Sequence, residues 1–252
     1  MSSQLVHVAS VTAADFGVDA DVVLRAARAL RAGQVIAIPT DTVYGLAATI
    51  DRPDAIERLY TVKGRPAEKA IPVLISDPED VCRLTSRLST LAIRLARAFW
   101  PGALTLVLPA LPGLPPGVTT LSGDGVETVA IRAPDNPMAR AIIAAAGGAL
   151  AVTSANRSGE APAVEAHEVS GLVLPQPLLI VDGGRAPGGR PSTIVVATGE
   201  RLEILREGAI PASDVAAALA DIEPKTGGDA PAGYDQRMTQ QQVGDATPES
   251  TA

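Results

Sequence analysis

Short apolar runs without a polar face constrain this chain most. They occupy residues 34–38, 71–75, 104–108, 129–131, 149–152, 178–181, 193–196 and 202–205. Each run is too short for an ordinary helix, and most place apolar residues at successive positions, which leaves little side for water. Such segments fit strands buried on both faces better than a sheet wetted on one face. Helix-patterned segments alternate with them. In 19–32, Val22, Val23, Ala26, Ala29 and Leu30 recur at helical spacing before Gly33. In 53–62, Pro53 and Asp54 suit a helix start, and Ile56, Leu59 and Tyr60 share a face. Leu88, Leu91, Ala92, Leu95 and Phe99 do the same over 86–99. Asp135 or Asn136 caps a further helix that reaches Ala146 before Gly147 and Gly148. This alternation predicts an α/β fold with helices covering a sheet.

Aromatic residues make up only 2% of the 252 residues, so Val, Ile, Leu and Ala must fill the core. The length permits a single α/β domain with a tail. The expected division is an N-terminal extension over 1–18, a folded domain over 19–210 and an acidic, mostly disordered tail over 211–252. Ala216–Ala220 is a candidate for one more helix within that tail. The net charge of −7 argues against a basic nucleic-acid coat. Residues 1–210 hold 19 Lys/Arg and 21 Asp/Glu, which still permits a local basic hollow for an anion. Cys82 is the single cysteine, so no intrachain disulfide forms, and a partly buried packing role is expected of it. His7 and His167 show no metal-ligand spacing. No basic leader or bilayer-length apolar segment is seen, so a cytoplasmic protein without membrane contact is expected.

Several polar loops could carry chemistry. PTDTVYGL, residues 39–46, puts two hydroxyls and a carboxylate beside a turn. They suit phosphate or carboxylate oxygens or a cation, and equally a turn held by its own side chains. Lys63-Gly64-Arg65-Pro66 offers a compact ammonium and a rigid guanidinium fork around a flexible glycine. Positive residues also sit at ordinary helix C-termini, and Lys69 carries the same two readings. Ser154-Ala155-Asn156-Arg157-Ser158-Gly159 leaves a strand, where α/β proteins favour ligands, yet such a segment can be a simple turn. Thr105 after the Trp100-Pro101-Gly102 turn, and Ser192 after a Gly-rich stretch, remain open in the same way. Asp182 either binds a cation through water or caps its turn. No Walker A motif, dinucleotide fingerprint or Ser–His pairing stands out.

Read in order, PTDTVYGL (39–46), KGRP (63–66), WPGALT (100–105), IRAP (131–134), SANRSG (154–159), the DGG and PST pieces of 182–193 and Arg206-Glu207-Gly208 resemble the YrdC/Sua5 family over residues 20–210. The resemblance implies a twisted open mixed sheet covered by helices, with a concave substrate cavity. It implies an ATP-dependent nucleotidyltransferase that joins L-threonine, bicarbonate and ATP into threonylcarbamoyl-AMP and pyrophosphate, for modification of tRNA adenosine-37. It assigns catalysis to Lys63, Arg65, Ser154 and Asn156. ATP contacts fall to Arg65, Lys69, Thr105, Ser154, Ser158 and Arg206, and threonine contacts to Thr42, Arg132 and Ser192. Mg²⁺ is the implied cofactor, with no ligand or general base named. Leu74 stands where some members carry a polar or histidine side chain, so no hydrogen bond is assigned there. The implied partners include tRNA-modification proteins, and direct tRNA contact is left open. A nonenzymatic RNA-binding or assembly module on the same fold is the alternative, as is a related carbamoyl-transfer domain.

Overall fold

Residues 8–10, 18–64, 69–157, 159–170, 172, 179–199 and 201–220 are described by the computed structural model. In chain order they form β1 (Val8–Ser10), α1 (Ala20–Arg31), β2 (Ile36–Ile38), β3 (Gly45–Thr49), α2 (Pro53–Lys63) and β4 (Val73–Ile75). A 3-10 turn (Pro78–Arg83), α3 (Thr90–Phe99), β5 (Leu104–Pro109), β6 (Thr119–Leu121), β7 (Glu127–Arg132), α4 (Pro137–Ala146) and β8 (Ala149–Ser154) follow. The last elements are α5 (Ala166–Ser170), β9 (Leu179–Asp182), β10 (Thr193–Val196), β11 (Glu203–Arg206) and α6 (Ala212–Ala220). No described helix is long and apolar enough to cross a membrane.

Local signals set the helix ends. The Asp19 carboxylate accepts from the Asp21 amide at 2.9 Å and caps α1, and Gly33, at φ +79°, turns the chain away after it. Ser89 and Asn136 cap α3 and α4 through the amides of Ala92 (3.1 Å) and Ala139 (2.9 Å). Gly64 ends α2 in a left-handed conformation (φ 61°), which leaves Lys63 on the last turn.

Among the described residues the strands form one mixed sheet in the order β1-β9-β2-β3-β8-β4-β7-β5-β10-β11, with β6 pairing β7 beside that path. The pairs β1–β9, β9–β2, β4–β7 and β5–β10 are parallel; the remaining pairs are antiparallel. Successive residues of a strand point to opposite faces. One face carries Ala37, Leu46, Ala48, Val73, Ala151, Leu104, Leu106, Ile131 and Val195, packed with α2 and α3 side chains such as Leu59 and Leu95. The other carries Ile36, Ile38, Ala47, Leu74, Leu150 and Val152 against Val22, Ala26 and Leu30 of α1 and Ala139 and Ile142 of α4. The α1–α4 layer spans β9 to β4, and on β7, β5 and β10 the matching face contributes nothing to that apolar cluster.

Several features differ from the sequence reading. The 202–205 run is expected to be buried on both faces, yet Glu203 and Leu205 are exposed (Leu205 at 56%), because β11 is an edge strand paired with β10 alone. Residues 45–49 form a central strand in a stretch to which the sequence reading assigns no element. Its small side chains carry weak β-preference, and close packing is what selects them: a Cβ on Gly45 would lie 2.5 Å from Val152 Cγ1. β6 lies in a Pro/Gly-rich stretch between two of the predicted strands and is held by pairing to β7. The folded unit also passes both expected boundaries. β1 lies within 1–18 and pairs β9 in parallel, and α6 starts at Ala212 with Val215 fully buried in the main core. A helix that buries an apolar face belongs to the domain and not to a tail. The expected disorder of 221–252 concerns residues outside the described ones.

Candidate functional site

The uncovered part of the sheet face is polar. Ile194 of β10 pairs with Thr105 of β5 on one side and Arg206 of β11 on the other. Arg132 of β7 pairs with Leu74 of β4, and lies one residue beyond the Leu106–Ile131 pair that joins β5 to β7. Arg206, Ile194, Thr105, Arg132 and Leu74 therefore form a row across the strands on one face. They floor a cavity of about 290 Å³ whose walls come from Thr42, Tyr44, Ser154, Asn156, Pro162, Pro191 and Ser192, among others. That volume lies near the lower end of the roughly 300–1,000 Å³ of ordinary ligand sites. A larger cavity, of about 500 Å³, lies beside Asp51, Asp80, Arg83, Gly147 and Gly148. It contains none of the motif residues, and its Arg83 is committed to Asp80 (3.7 Å) and to the Gly147 carbonyl (3.2 Å).

Arg132 is the most buried charge in the site, at 5% exposure. Its Nε donates to the Gly102 carbonyl (2.9 Å), one terminal nitrogen to Thr42 Oγ1 (2.9 Å), and the other to Asp41 Oδ1 (2.5 Å). Burial pushes its pKa down, and the Asp41 carboxylate works against that shift. Thr42 is itself set by Thr40, whose Oγ1 donates to the Val43 carbonyl (2.6 Å) and accepts from the Thr42 amide (3.1 Å). Thr105 Oγ1 and Ser192 Oγ share a hydrogen bond at 2.8 Å. Arg206, although exposed, donates to the Ser192 carbonyl at 2.8 Å and lies 3.3 Å from its hydroxyl.

Lys63 is a second buried cation, at 7% exposure. Its Nζ donates to the Ser154 carbonyl (2.5 Å), the Asn156 carbonyl (2.9 Å) and Asn156 Oδ1, with Ser154 Oγ at 3.3 Å. Ser154 Oγ donates to Asn156 Oδ1 at 2.7 Å, and Asn156 Nδ2 donates to the Glu160 carbonyl at 2.6 Å. The end of α2 is thereby tied to the exit of β8. The third tie is Tyr44, fully buried, whose hydroxyl donates to the Gly184 carbonyl (2.7 Å) and accepts from the Gly183 amide (3.2 Å). Burial raises its pKa to about 12. Gly189 N donates to the Thr42 carbonyl at 2.9 Å, and a Cβ on Gly188 would meet Asp41 O at 2.8 Å. Glycine permits that approach.

Of the expected site residues, Thr42, Thr105, Arg132, Ser154, Asn156, Ser192 and Arg206 line one cavity, and Lys63 joins them through Ser154 and Asn156. Lys69 is exposed and lies outside that wall; its carbonyl accepts from the Tyr60 hydroxyl at 2.9 Å. Arg65 and Ser158 lie outside the described residues, as does His7. Asp182 caps its turn by accepting from the Gly184 amide at 3.0 Å. Cys82 is exposed, contrary to the packing role expected of it, because it sits on the outer side of the 3-10 turn with its thiol donating to the Glu79 carbonyl. His167 is exposed beside Glu165. The sequence reading missed the pairing of Asp41 with Arg132 and the tie between Tyr44 and the 183–184 turn. Neither leaves a local signal, since the partners are 91 and about 140 positions apart.

The family profile Sua5_yciO_yrdC, described as telomere recombination, matches residues 28–208. The chain is 39% identical over 206 residues to the threonylcarbamoyl-AMP synthase of Bacillus subtilis, covering 81% of this chain and 58% of that protein. It is 36% identical over 183 residues to the threonylcarbamoyl-AMP synthase of Vibrio vulnificus, covering 72% of this chain and 95% of that protein. Among solved structures, Pyrococcus abyssi Sua5 complexed with L-threonine superposes with a TM-score of 0.73 at 34% identity, over 79% of this chain and 58% of that one. The chain thus spans less than two thirds of the Bacillus and Pyrococcus relatives. Sequence and fold agree over the segment that builds the cavity, and the chain belongs to the Sua5/YciO/YrdC family.

Proposed function

We propose that this chain makes threonylcarbamoyl-AMP from L-threonine, bicarbonate and ATP, for tRNA adenosine-37 modification. The observation that carries this reading is the polar cavity on the sheet face, where Arg132, Arg206, Thr105, Ser192 and the Lys63–Ser154–Asn156 cluster converge. This lining offers cationic and hydroxyl donors to the anionic groups of both reactants. The names of the relatives support the product, and the threonine complex of a family member supports the amino acid.

In this reading Arg132 takes the threonine carboxylate, and Thr42 and Ser192 frame the amino acid. Thr105, Ser154 and Arg206 face the nucleotide, and Arg65, Lys69 and Ser158 would join them from the phosphate side. The threonine amine condenses with bicarbonate, losing water, to give N-carboxythreonine. Its carboxylate oxygen then forms a bond to the α-phosphorus, the bond from that phosphorus to the β-phosphate oxygen breaks, and pyrophosphate leaves with the electron pair. No covalent enzyme intermediate is needed. The residues orient the reactants and neutralise charge, with Lys63 keeping a fixed positive charge beneath the Ser154–Asn156 turn. The described residues contain no cluster of three His, Cys, Asp or Glu side chains able to cage a metal. Mg²⁺ carried on the ATP phosphates, its usual mode, needs no such cage, and the Ser154 and Thr105 hydroxyls of the lining would help hold it. When bound there it would supply charge neutralisation for the departing pyrophosphate.

Purified protein incubated with all substrates should yield threonylcarbamoyl-AMP and pyrophosphate by mass spectrometry. Omitting threonine, bicarbonate, ATP or Mg²⁺ in turn should abolish both products. ATP turnover that ignores threonine would reject the reading and favour transfer to a different acceptor.

A further inference from the structure

We infer that Asp41 is a positioning residue: it does not touch the amino acid but sets the guanidinium of Arg132 that does. The inference rests on the proposed function for the identity of the ligand. Arg132 lines the cavity, while Asp41 lies behind it and is absent from the lining. Both side chains are shielded, at 6% and 12% exposure, so their 2.5 Å ion pair is screened far less than a surface pair. A guanidinium carries five N–H donors in one plane. Three are committed, each to a different fixed acceptor: the Gly102 carbonyl, Thr42 Oγ1 and Asp41 Oδ1. Three acceptors on three nitrogens fix the plane and its rotation. One N–H on each terminal nitrogen is left, which matches the two oxygens of a single carboxylate.

The three acceptors are not equivalent. Gly102 and Thr42 are neutral, so only Asp41 compensates the buried charge. Without it, Arg132 would carry an unpaired charge at 5% exposure and in the neighbourhood of Arg206, which also disfavours the charged state. The guanidinium would relieve this by turning toward solvent, which takes the fork out of the cavity. Asp41 is held in turn by its own loop. Gly188 packs against the Asp41 carbonyl at a distance that excludes any larger residue, and Gly189 bonds the Thr42 carbonyl.

The test measures L-threonine binding by calorimetry, without ATP, in the unaltered protein and in Asp41→Asn, Asp41→Ala, Arg132→Ala and the Asp41→Ala/Arg132→Ala double variant. Asn is isosteric and keeps an oxygen for the hydrogen bond, so that variant separates charge from shape. Threonine affinity should fall about 10- to 100-fold in Asp41→Asn, and ATP affinity should stay within about twofold because that side is set by other residues. In the Arg132→Ala background, loss of Asp41 should cost nothing further, as expected of two residues acting as one unit. Multiplicative losses in the double variant, or an Asp41→Asn protein that binds threonine normally, would overturn the inference. The Arg132 Nε–H resonance supplies a readout independent of ligand. It should be protected from exchange in the unaltered protein and lost in Asp41→Asn. If the unaltered protein fails to bind threonine while that resonance still depends on Asp41, the functional reading falls and the positioning stands.

Discussion

One face of the sheet has two halves, and they obey the same alternation with opposite contents. Over β2, β3, β8 and β4 the outward positions are Ile36, Ile38, Ala47, Leu150, Val152 and Leu74, and α1 and α4 lie on them. Over β7, β5, β10 and β11 the corresponding positions include Arg132, Thr105 and Arg206, and the cavity lies there instead. A helix can bury only an apolar stripe, so the polar row cannot accept one. The cavity is the part of the face that the chain declines to cover. Leu74 stands on the border, packed with α4 in one direction and paired with Arg132 in the other.

The sharpest break between the halves should come from Leu30→Ala. Leu30 is fully buried under the covered half. Its truncation should lower unfolding free energy by about 2–5 kcal/mol in a urea melt, with activity per folded molecule unchanged at low temperature. An activity loss beyond the unfolded fraction would show that the halves are coupled. Next in size is Lys63→Met, which keeps the volume and removes the charge under the Ser154–Asn156 turn. Product formation should drop about 10²- to 10³-fold. A rate within threefold of the unaltered protein, in a variant that melts normally, would remove Lys63 from the catalytic set.

The smallest effect concerns Tyr44, which links the cavity wall to the 183–184 turn. Its pKa is raised from 10.0 to about 12, chiefly by burial. Between those values the unfolded chain has released the phenolic proton and the folded protein retains it. Linkage then makes stability fall as pH rises through that window. Tyr44→Phe should lose roughly 1 kcal/mol at neutral pH and show a flatter decline from about pH 10 to 12. Identical alkaline profiles for the two proteins would mean that the phenol is solvated and the tie is weak.

The helices were legible because their signals are local. Asp19, Ser89 and Asn136 act on amides two or three residues away, and the apolar spacing of Val22, Ala26 and Leu30 directly states the buried face. β3 was not legible. Gly45, Ala47 and Ala48 have no strand signature, and they are small because Val152 and the helices press on them. The motif residues could be collected by resemblance, which named Arg132 and Thr42 without saying that one holds the other.

The order of residues along the chain was enough to settle an α/β sheet with buried strands, the places of its main helices, and a set of polar loops rich in oxyanion donors. Those properties depend on neighbours within a few positions, where periodicity and capping act. Tertiary structure alone decided that Asp41 sits behind Arg132, that Lys63 reaches Ser154 and Asn156, and that half of one sheet face stays uncovered. The two contacts join residues 91 to 93 positions apart, and the uncovered half follows from which strands lie beneath the helices. None of the three is written in any local stretch, because pairing depends on which strands meet and not on how far apart they lie in sequence.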